Sequence, residues 1–386
     1  MPIQFSGSNE TTLGLELELQ IIDPETGNLV SKAPRIIQDI DDPAFKPELF
    51  ECIVELNSAV CHTMKELRND IKQKLEHLHA VASKHHCELL LTGTHPTARW
   101  QDQKITQNPR YQTLLDRIRW PVRQFLIFGL HLHVGVSDAE KAIFILNQLS
   151  GHIPELIALS ASSPFYQGLD TGLASSRIKI FEGLPNNGIP HFFRNWNAYS
   201  QYVDNFQRYG SIDSFRDIWW DIRPHPVYGT IEVRVCDLPP TLREIFALSA
   251  YIFCLVKKLD REYEEQKKLH RTPRWILEEN KWRASRYGLR ANLIDASEDG
   301  ITPVKKIIRS QLQQVSSLAA QLECPEELAE IRQILALGSS ADRQRAWKYR
   351  EGADFSGIIK RLLQEFHTDT ILASTPERDW KSVFFS

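Results

Sequence analysis

Three segments of this chain alternate apolar and polar residues in the period of a strand, and each carries two chemically reactive side chains at i and i+2. They are Glu16 and Glu18 in Leu13 to Ile22, His131 and His133 in Gly129 to Gly135, and Glu232 and Arg234 in Gly229 to Val235. Successive side chains of a strand point to opposite faces, so each pair projects from one face while its apolar neighbours fill the other. A sheet with such a polar face could simply meet water. For Glu16 and Glu18 alone that reading stands. It weakens for the three pairs together, because Thr, Lys or Arg would solvate a strand better than Glu and His. Gly14 and Gly129 beside these pairs leave room for something to approach.

Glu48, Glu51 and Glu55 add carboxylates on or just before a further strand over Leu49 to Leu56. Glu51 and Glu55 share a parity there, whereas Glu48 does not. If four or five carboxylates share one face, like charges about 4 Å apart repel by about 4 kcal/mol per pair at an effective dielectric of 20. Either several hold protons or cations lie between them. Oxygen-rich sets with one imidazole suit Mg²⁺ or Mn²⁺, whereas zinc would want more His or Cys. Mg²⁺ on carboxylates points to nucleotide phosphates, with Arg223 and Arg234 as candidates to neutralise a transferring phosphoryl group. The sequence has no Gly-x-x-x-x-Gly-Lys-Ser/Thr and no Gly-x-Gly-x-x-Gly, so metals and side chains would have to hold those phosphates. His-x-His also occurs in metal hydrolases built on (β/α)₈ barrels, but no train of eight βα units is visible here.

Composition narrows the class of protein. With 42% hydrophobic and 25% charged residues the chain is globular, and its net charge of −3 supplies no field that would draw nucleic acid or an anionic membrane. Apolar stretches such as Ile143 to Leu146 and Tyr251 to Val256 are far too short to span a bilayer. Met1 to Glu10 has neither a basic nor an apolar signal region, so a cytoplasmic protein is expected. The six cysteines are scattered among apolar neighbours, with no Cys-x-x-Cys, and read as core residues without disulfides. The basic, Trp-containing stretch Lys257 to Arg290 is diluted by acidic residues and reads as a solvated helix face, from which Asn280, Arg283 and Arg286 could reach a nucleotide. Trp219 and Trp220 read as core, and His77, His79, His85 and His86 as surface without paired carboxylates.

Capping boxes at Thr63 to Glu66, Ser137 to Glu140 and Thr241 to Glu244 open helices towards His86, towards Ser150 and over about 25 residues. Leu89 to Thr92 reads as a short strand and Ser160 to Pro190 as a long structured loop. After Gly288 the pattern is helical, broken at Gly300, Pro325, Gly338 and Gly352. No linker divides the chain, so one domain over residues 1–386 is expected, with about 291–386 mainly helical.

A series of motifs in order carries a family resemblance. Thr12-Leu-Gly-Leu-Glu-Leu-Glu-Leu19, Thr92-Gly-Thr-His-Pro96, His131-Leu-His-Val-Gly135, Ala161-Ser-Ser-Pro-Phe165, Ala174-Ser-Ser-Arg177, Asp221-Ile-Arg-Pro224, Gly229-Thr-Ile-Glu-Val-Arg-Val235 and Asn280-Lys-Trp-Arg-Ala-Ser-Arg-Tyr-Gly288 resemble the carboxylate–amine ligases, also called glutamate–cysteine ligase type 2. The resemblance runs from about residue 10 to the C-terminus, and it is the ordered series that is specific. It implies an α+β fold of the glutamine synthetase/guanido kinase-like kind: a curved, largely antiparallel sheet whose concave face holds ATP, divalent metals and glutamate, with helices on the outer face and a helical C-terminal part. By similarity Glu18, Glu48 and Glu55 would hold one metal, with Glu51 as an alternative to Glu48, and Glu16, His131 and Glu232 the other. His133 would approach the nucleotide phosphates, Arg234 and Arg223 would clamp the phosphate or acyl phosphate, and Arg177 would meet the substrate carboxylate. Asn280 and Arg286 would contact the nucleotide, and a homodimer is a family expectation alone.

The chemistry implied is activation of glutamate's γ-carboxylate by ATP as an acyl phosphate, followed by attack of an amine, cysteine in the activity the family is named for. Such a ligase needs ATP with Mg²⁺ or Mn²⁺ and works by positioning and electrostatics, so no Ser or Cys nucleophile is required. Two rivals remain: the same chemistry with another amine, and a silent nucleotide-binding regulator on the ligase fold. Glu232→Gln is expected to abolish turnover while leaving the fold intact.

Overall fold

The computed structural model describes residues 3–8, 10–269, 271–295 and 300–374; the sequence reading's N-terminal Met1, Pro2 and Asn9 and its helical pattern beyond residue 374 lie outside them. The fold is α+β. Seven strands form one sheet: β1 (Leu13–Ile22), β2 (Phe45–Pro47), β3 (Ile53–Asn57), β4 (Glu88–Leu90), β5 (Gly129–Gly135), β6 (Ile222–His225) and β7 (Thr230–Asp237). Their order is β6-β7-β5-β1-β3-β2, with β4 pairing the far half of β1, and every pair is antiparallel. The alternation in β1 does what its period requires: Leu13, Leu15, Leu17 and Leu19 are buried to 2% exposure or less, while Gly14, Glu16 and Glu18 face the other way.

Helices Met64–Lys84, Ala139–Leu149, Ile153–Ser160 and Leu242–Glu264 cover the apolar face. Thr63 and Thr241 cap as read, each accepting from the backbone N–H three residues on, but the second cap is Asp138 rather than Ser137. An Asp side chain one residue nearer the helix reaches the Lys141 N–H that Ser137 cannot. The apolar length was also underestimated. Ala139–Ser160 runs through three consecutive helical pieces and is long and apolar enough to cross a membrane by composition, yet 78% of its most apolar window is buried inside the protein. It is a core helix enclosed by others, principally Leu242–Glu264.

Other boundaries shift for local reasons. The strand expected from Leu49 begins only at Ile53, because Glu51 and Cys52 form a turn. The loop over 160–190 contains the helix Ser176–Phe181 and the strand pair Phe165–Tyr166 with Leu169–Asp170. The C-terminal part opens not with a helix but with a hairpin, Asn292–Asp295 against Gly300–Pro303, before the helix Val304–Gln321. The basic stretch is not wholly a solvated face either: Lys281 is buried and paired to Asp221 at 2.7 Å and Glu182 at 3.0 Å. All six cysteines are buried and free, and Trp220 lies in an aromatic cluster with Phe193, Tyr199 and Tyr202. His79 is not without a carboxylate, since Glu88 at the start of β4 lies 2.9 Å from its Nε2, and His85 meets Asp39 at 2.8 Å.

The Thr92–Pro96 motif is a clasp. Thr92 Oγ1 donates to the Ser162 carbonyl, Thr94 Oγ1 to the Phe165 carbonyl, and the Gly93 N–H to Ser162 Oγ. His95 Nε2 lies 2.8 Å from the Gly27 carbonyl, while Nδ1 accepts the N–H groups of Thr97 and Ala98. An imidazole accepting at Nδ1 must be neutral to do so, and burial presses its pKa down to about 4. The sign follows from linkage. Above about pH 6.5 His95 is neutral folded or unfolded; between there and pH 4 the unfolded chain binds a proton that the folded one refuses, so stability falls as pH falls, by on the order of 3 kcal/mol in all. Denaturant midpoints measured from pH 7 to 4 should fall more steeply for the wild type than for His95→Asn; parallel curves would show that His95 is not held neutral.

Candidate active site

The antiparallel register brings the polar pairs together. Glu16 stands opposite His131, Glu232 opposite His133, Glu18 opposite Glu55 and Arg223 opposite Glu232. A bulge in β7 between Val233 and Cys236 inserts an extra residue, and at that irregularity the Arg234 N–H bonds the Asp221 carbonyl. The result is a cavity of about 290 Å³ on the polar face. Of the residues proposed from sequence, Glu16, Glu18, Glu48, Glu55, His131, His133, Arg177, Arg223, Glu232 and Arg234 all line it.

Four of the proposed residues do not. Arg283 pairs with Glu279 at 2.7 Å and donates to the Asn292 carbonyl at 3.1 Å, outside the cavity. Asn280 spends both ends of its amide on the backbone of Ile294, accepting its N–H at 2.7 Å and donating to its carbonyl at 2.9 Å, so it pins a helix to the hairpin. Arg286 donates to the Gly172 carbonyl and borders a separate cavity on the C-terminal helices. Glu51 sits in the turn before β3 and does not line the active cavity, whereas Glu48 does; the turn breaks the parity from which Glu51 and Glu55 were matched.

Within the cavity the carboxylates fall into two groups. Ligand atoms of Glu16, His131 and Glu232 lie within 4.8 Å of one another. His131 Nδ1 is 3.3 Å and His133 Nε2 3.4 Å from Glu16, and His133 Nε2 is 3.9 Å from Glu232. Burial alone would raise the Glu16 pKa, but the neighbouring His131 and His133 outweigh that and hold it well below the usual range. For His133 burial opposes the charge, and Glu232 and Glu16 overcome it, so the imidazolium is favoured. Nδ1 of His133 is engaged by Thr230 at 2.9 Å, while its buried Nε2 has no hydrogen-bond partner among the described residues.

The second group is Glu18, Glu48 and Glu55. Burial first, then the charges of Glu55 and Glu18, push the Glu48 carboxyl well above its ordinary value. The cation facing this group is Lys46, 3.6 Å from Glu55 and half exposed. These three carboxyls line one cavity without converging within 4.8 Å as Glu16, His131 and Glu232 do, and they offer the oxygen donors that a hard divalent cation takes.

Arginines close the other side. Arg223 is anchored by Glu232 at 2.6 Å and by the carbonyls of Arg216 and Ile218 at 3.0 and 2.9 Å. Arg234 also pairs with Glu232, but its buried Nε is without a partner among the described residues. Glu232, 1% exposed, is therefore the counter-ion of two buried guanidinium groups, which lower its pKa despite burial. Glu232→Gln would strand both, so the expectation that this variant keeps its fold does not survive. Glu16, with a side chain 20% exposed and no arginine ion pair among the described residues, is the cleaner position to test.

Arg177 reaches the cavity from the helix Ser176–Phe181, its guanidinium directed at the Arg234 carbonyl at 3.3 Å and its Nε without a hydrogen-bond partner among the described residues. The room left at Gly129 is taken by this side chain: a Cβ there would lie 2.1 Å from Arg177 Nη2. Sequence reasoning missed Arg110, Tyr111, Arg216, His225 and Tyr228, which also line the cavity. His225 had a signal, since Arg223 and His225 form a fourth i, i+2 pair on β6. It stacks on Tyr228 at 3.9 Å and sits edge-on to His133. Tyr111 arrives from a distant helix by tertiary packing, with no local signal.

Gly129→Ala should cost about 1–3 kcal/mol in unfolding experiments by forcing Arg177 aside. In an Arg177→Ala background the same substitution should cost much less, and an undiminished cost would mean the glycine serves β5 itself.

The chain is similar to known proteins over most of its length. The model of glutamate–cysteine ligase family 2 matches residues 12–364. A protein of Gloeobacter violaceus named "putative glutamate–cysteine ligase 2" is 43% identical over 350 residues, 89% of this chain and 94% of its own length. A similarly named protein of Frankia casuarinae is 38% identical over 95% of this chain and 98% of its own. Among solved structures, the glutamate–cysteine ligase of Francisella tularensis in complex with AMP superposes with a TM-score of 0.66 at 13% identity, over 95% of this chain and 90% of that one. The bifunctional glutathione synthetase of Pasteurella multocida gives 0.64 at 16%, over 93% of this chain and 52% of that one. At these identities the structural likeness speaks to the fold.

Proposed function

The chain belongs to glutamate–cysteine ligase family 2, and from that premise we propose that it joins the γ-carboxylate of glutamate to the amine of cysteine at the expense of ATP. The observation that carries the reading is the convergence of Glu16, His131 and Glu232 within 4.8 Å, beside buried arginines with donors to spare. The site residues given by the family resemblance, apart from Asn280, Arg286 and Glu51, are the ones we assign. One domain is proposed for the whole ligase, since the largest apolar cluster runs from Leu13 to Ile371 and a smaller one docks the C-terminal helix on the same sheet.

The donor chemistry fits two hard divalent cations, Mg²⁺ or Mn²⁺. Glu16, His131 and Glu232 would hold one, and Glu18, Glu48 and Glu55 the other, where burial and then the charges of Glu55 and Glu18 raise the Glu48 pKa. When bound, such cations neutralise phosphate charge and hold the phosphates in place. In the reaction, a γ-carboxylate oxygen of glutamate bonds to the γ-phosphorus of ATP as ADP departs with the bridging electron pair. The neutral amine then bonds to the acyl carbon, phosphate leaves with the electron pair of the acyl C–O bond, and the proton shed by the nitrogen goes to the departing phosphate, so a poor leaving group has been exchanged for a good one.

The chain's own groups do electrostatic work. Arg223 is held rigidly by Glu232 and two carbonyls and presents fixed positive charge. Arg234, with its Nε uncommitted, is the guanidinium we assign to the phosphoryl oxygens as charge develops there. Arg177 offers its own unpartnered Nε to a substrate carboxylate. His133, its pKa raised by Glu232 and Glu16 against burial and its ring oriented by Thr230, would face the phosphates.

ADP release by the purified protein should require ATP, glutamate, a divalent cation and cysteine, with γ-glutamylcysteine as product. Glu16→Gln should lower turnover by roughly 100-fold or more while leaving the circular dichroism and melting temperature near those of the wild type. A stronger response to another amine in a parallel panel would keep the chemistry and replace the acceptor. Undiminished turnover in Glu16→Gln would overturn the metal assignment, and ATP binding without turnover on any amine would make the protein a regulator.

A further inference from the structure

Away from the ligase cavity, three side chains from distant parts of the sequence meet on the outer surface. His79 belongs to the helix Met64–Lys84, Glu88 opens β4, and His367 lies in the last turn of the helix Phe355–Thr368. Their ligand atoms lie within 4.8 Å of one another, and none of the three lines the ligase cavity. His79 Nε2 is 2.9 Å from Glu88 Oε1, and His367 Nε2 is 3.2 Å from Glu88 Oε2.

We propose that His79, Glu88 and His367 form a second cation site, selective for Zn²⁺ and cations of similar softness, that staples the C-terminal helix to the edge of the sheet. Two imidazoles and one carboxylate are a donor set for zinc, whereas Mg²⁺ prefers oxygen throughout. Zn–N and Zn–O bonds of about 2.0–2.1 Å put neighbouring tetrahedral ligand atoms about 3.3 Å apart, a spacing that small side-chain adjustments would reach from a cluster whose ligand atoms lie within 4.8 Å, with the two imidazoles on different oxygens of Glu88. A plain His–carboxylate contact explains the cluster less well. His79 Nε2 is sealed from solvent and makes no hydrogen bond, although Glu88 Oε1 is within reach, so its lone pair or proton is directed elsewhere.

The carboxylate is already oriented, because the Leu89 N–H donates to Glu88 Oε1 at 2.8 Å, the kind of outer contact that fixes a metal ligand. His367 is exposed, so three protein ligands would leave the fourth position to water. Beneath the cluster, Ile358, Ile359 and Leu362 of the helix pack with Leu90 of β4 and Ile22 of β1. The site lies at the end of that apolar seam. A bound cation would secure the seam's last turn, where a helix otherwise frays.

Zinc uptake by the full chain should be measured by equilibrium dialysis, with His367→Ala and Glu88→Gln beside the wild type. Whatever zinc the ligase cavity takes is common to all three and cancels in the difference. The wild type should bind one more equivalent than either variant. Zn²⁺ should raise its melting temperature more than theirs, and Co²⁺ in its place should show tetrahedral visible absorption that both variants lose. Ligase turnover with Mg²⁺ should stay at the wild-type level in His367→Ala, which separates this site from the catalytic one. Equal zinc uptake and equal thermal response in wild type and variants would overturn the proposal, whatever the protein's catalytic activity proves to be.

Discussion

The register of β1, β5 and β7 is the constraint on which everything at the active face depends. Glu16 opposite His131 and Glu232 opposite His133 turn three separate sequence motifs into one charged patch. A slip of one residue in any of these strands would send its polar pair into the core and its leucines or valines into the cavity. The register is secured from the other side, where Leu13, Leu15, Leu17, Leu130, Leu132, Val134, Ile231 and Val233 are buried to 2% exposure or less. The apolar face therefore determines where the charges stand, and burial there must offset the repulsion among carboxylates on the opposite face.

That repulsion is managed unevenly. Around Glu232 the chain supplies its own cations, Arg223 and Arg234, and the carboxylate is held ionised. Around Glu48 the ion pair among the described residues is that of the half-exposed Lys46 with Glu55, and burial with the charges of Glu55 and Glu18 raises the Glu48 pKa. One half of the cavity is balanced by its own arginines, and we propose that the other takes charge from outside. Such a division suits a site that must bring polyanions and carboxylates together, because rigid arginines and a cation-hungry carboxylate cluster act on opposite ends of the same negative charge.

Several motifs that carry the family resemblance prove to be scaffold. Asp237 at the end of β7 accepts the Ser162 N–H and the hydroxyls of Ser163 and Ser175, tying two of those motifs together behind Arg177. Asp221 serves in the same way by holding the buried Lys281. A motif match by itself therefore does not separate a residue that touches substrate from one that holds the residue in place. Asn280 illustrates the error: it lies within a matching motif, yet its amide is spent on the backbone of Ile294.

The period-two pattern alone determined that Glu16, Glu18, His131, His133, Glu232 and Arg234 would leave their strands on the polar side, because strand geometry is local and each apolar neighbour marks the opposite face. The same rule, applied to Arg223 and His225, would have found a cavity residue that went unnoticed. Only the tertiary structure decided which carboxylate near β3 enters the cavity, since the turn at Glu51 breaks the local alternation, and only it showed that Gly129 makes way for Arg177. Likewise His79, Glu88 and His367 share no local pattern; they meet because an apolar seam docks the C-terminal helix on β4. Local periodicity is legible in a sequence because it follows from the backbone of a single strand, whereas contacts between distant elements are set by how their apolar faces pack, which no single segment encodes.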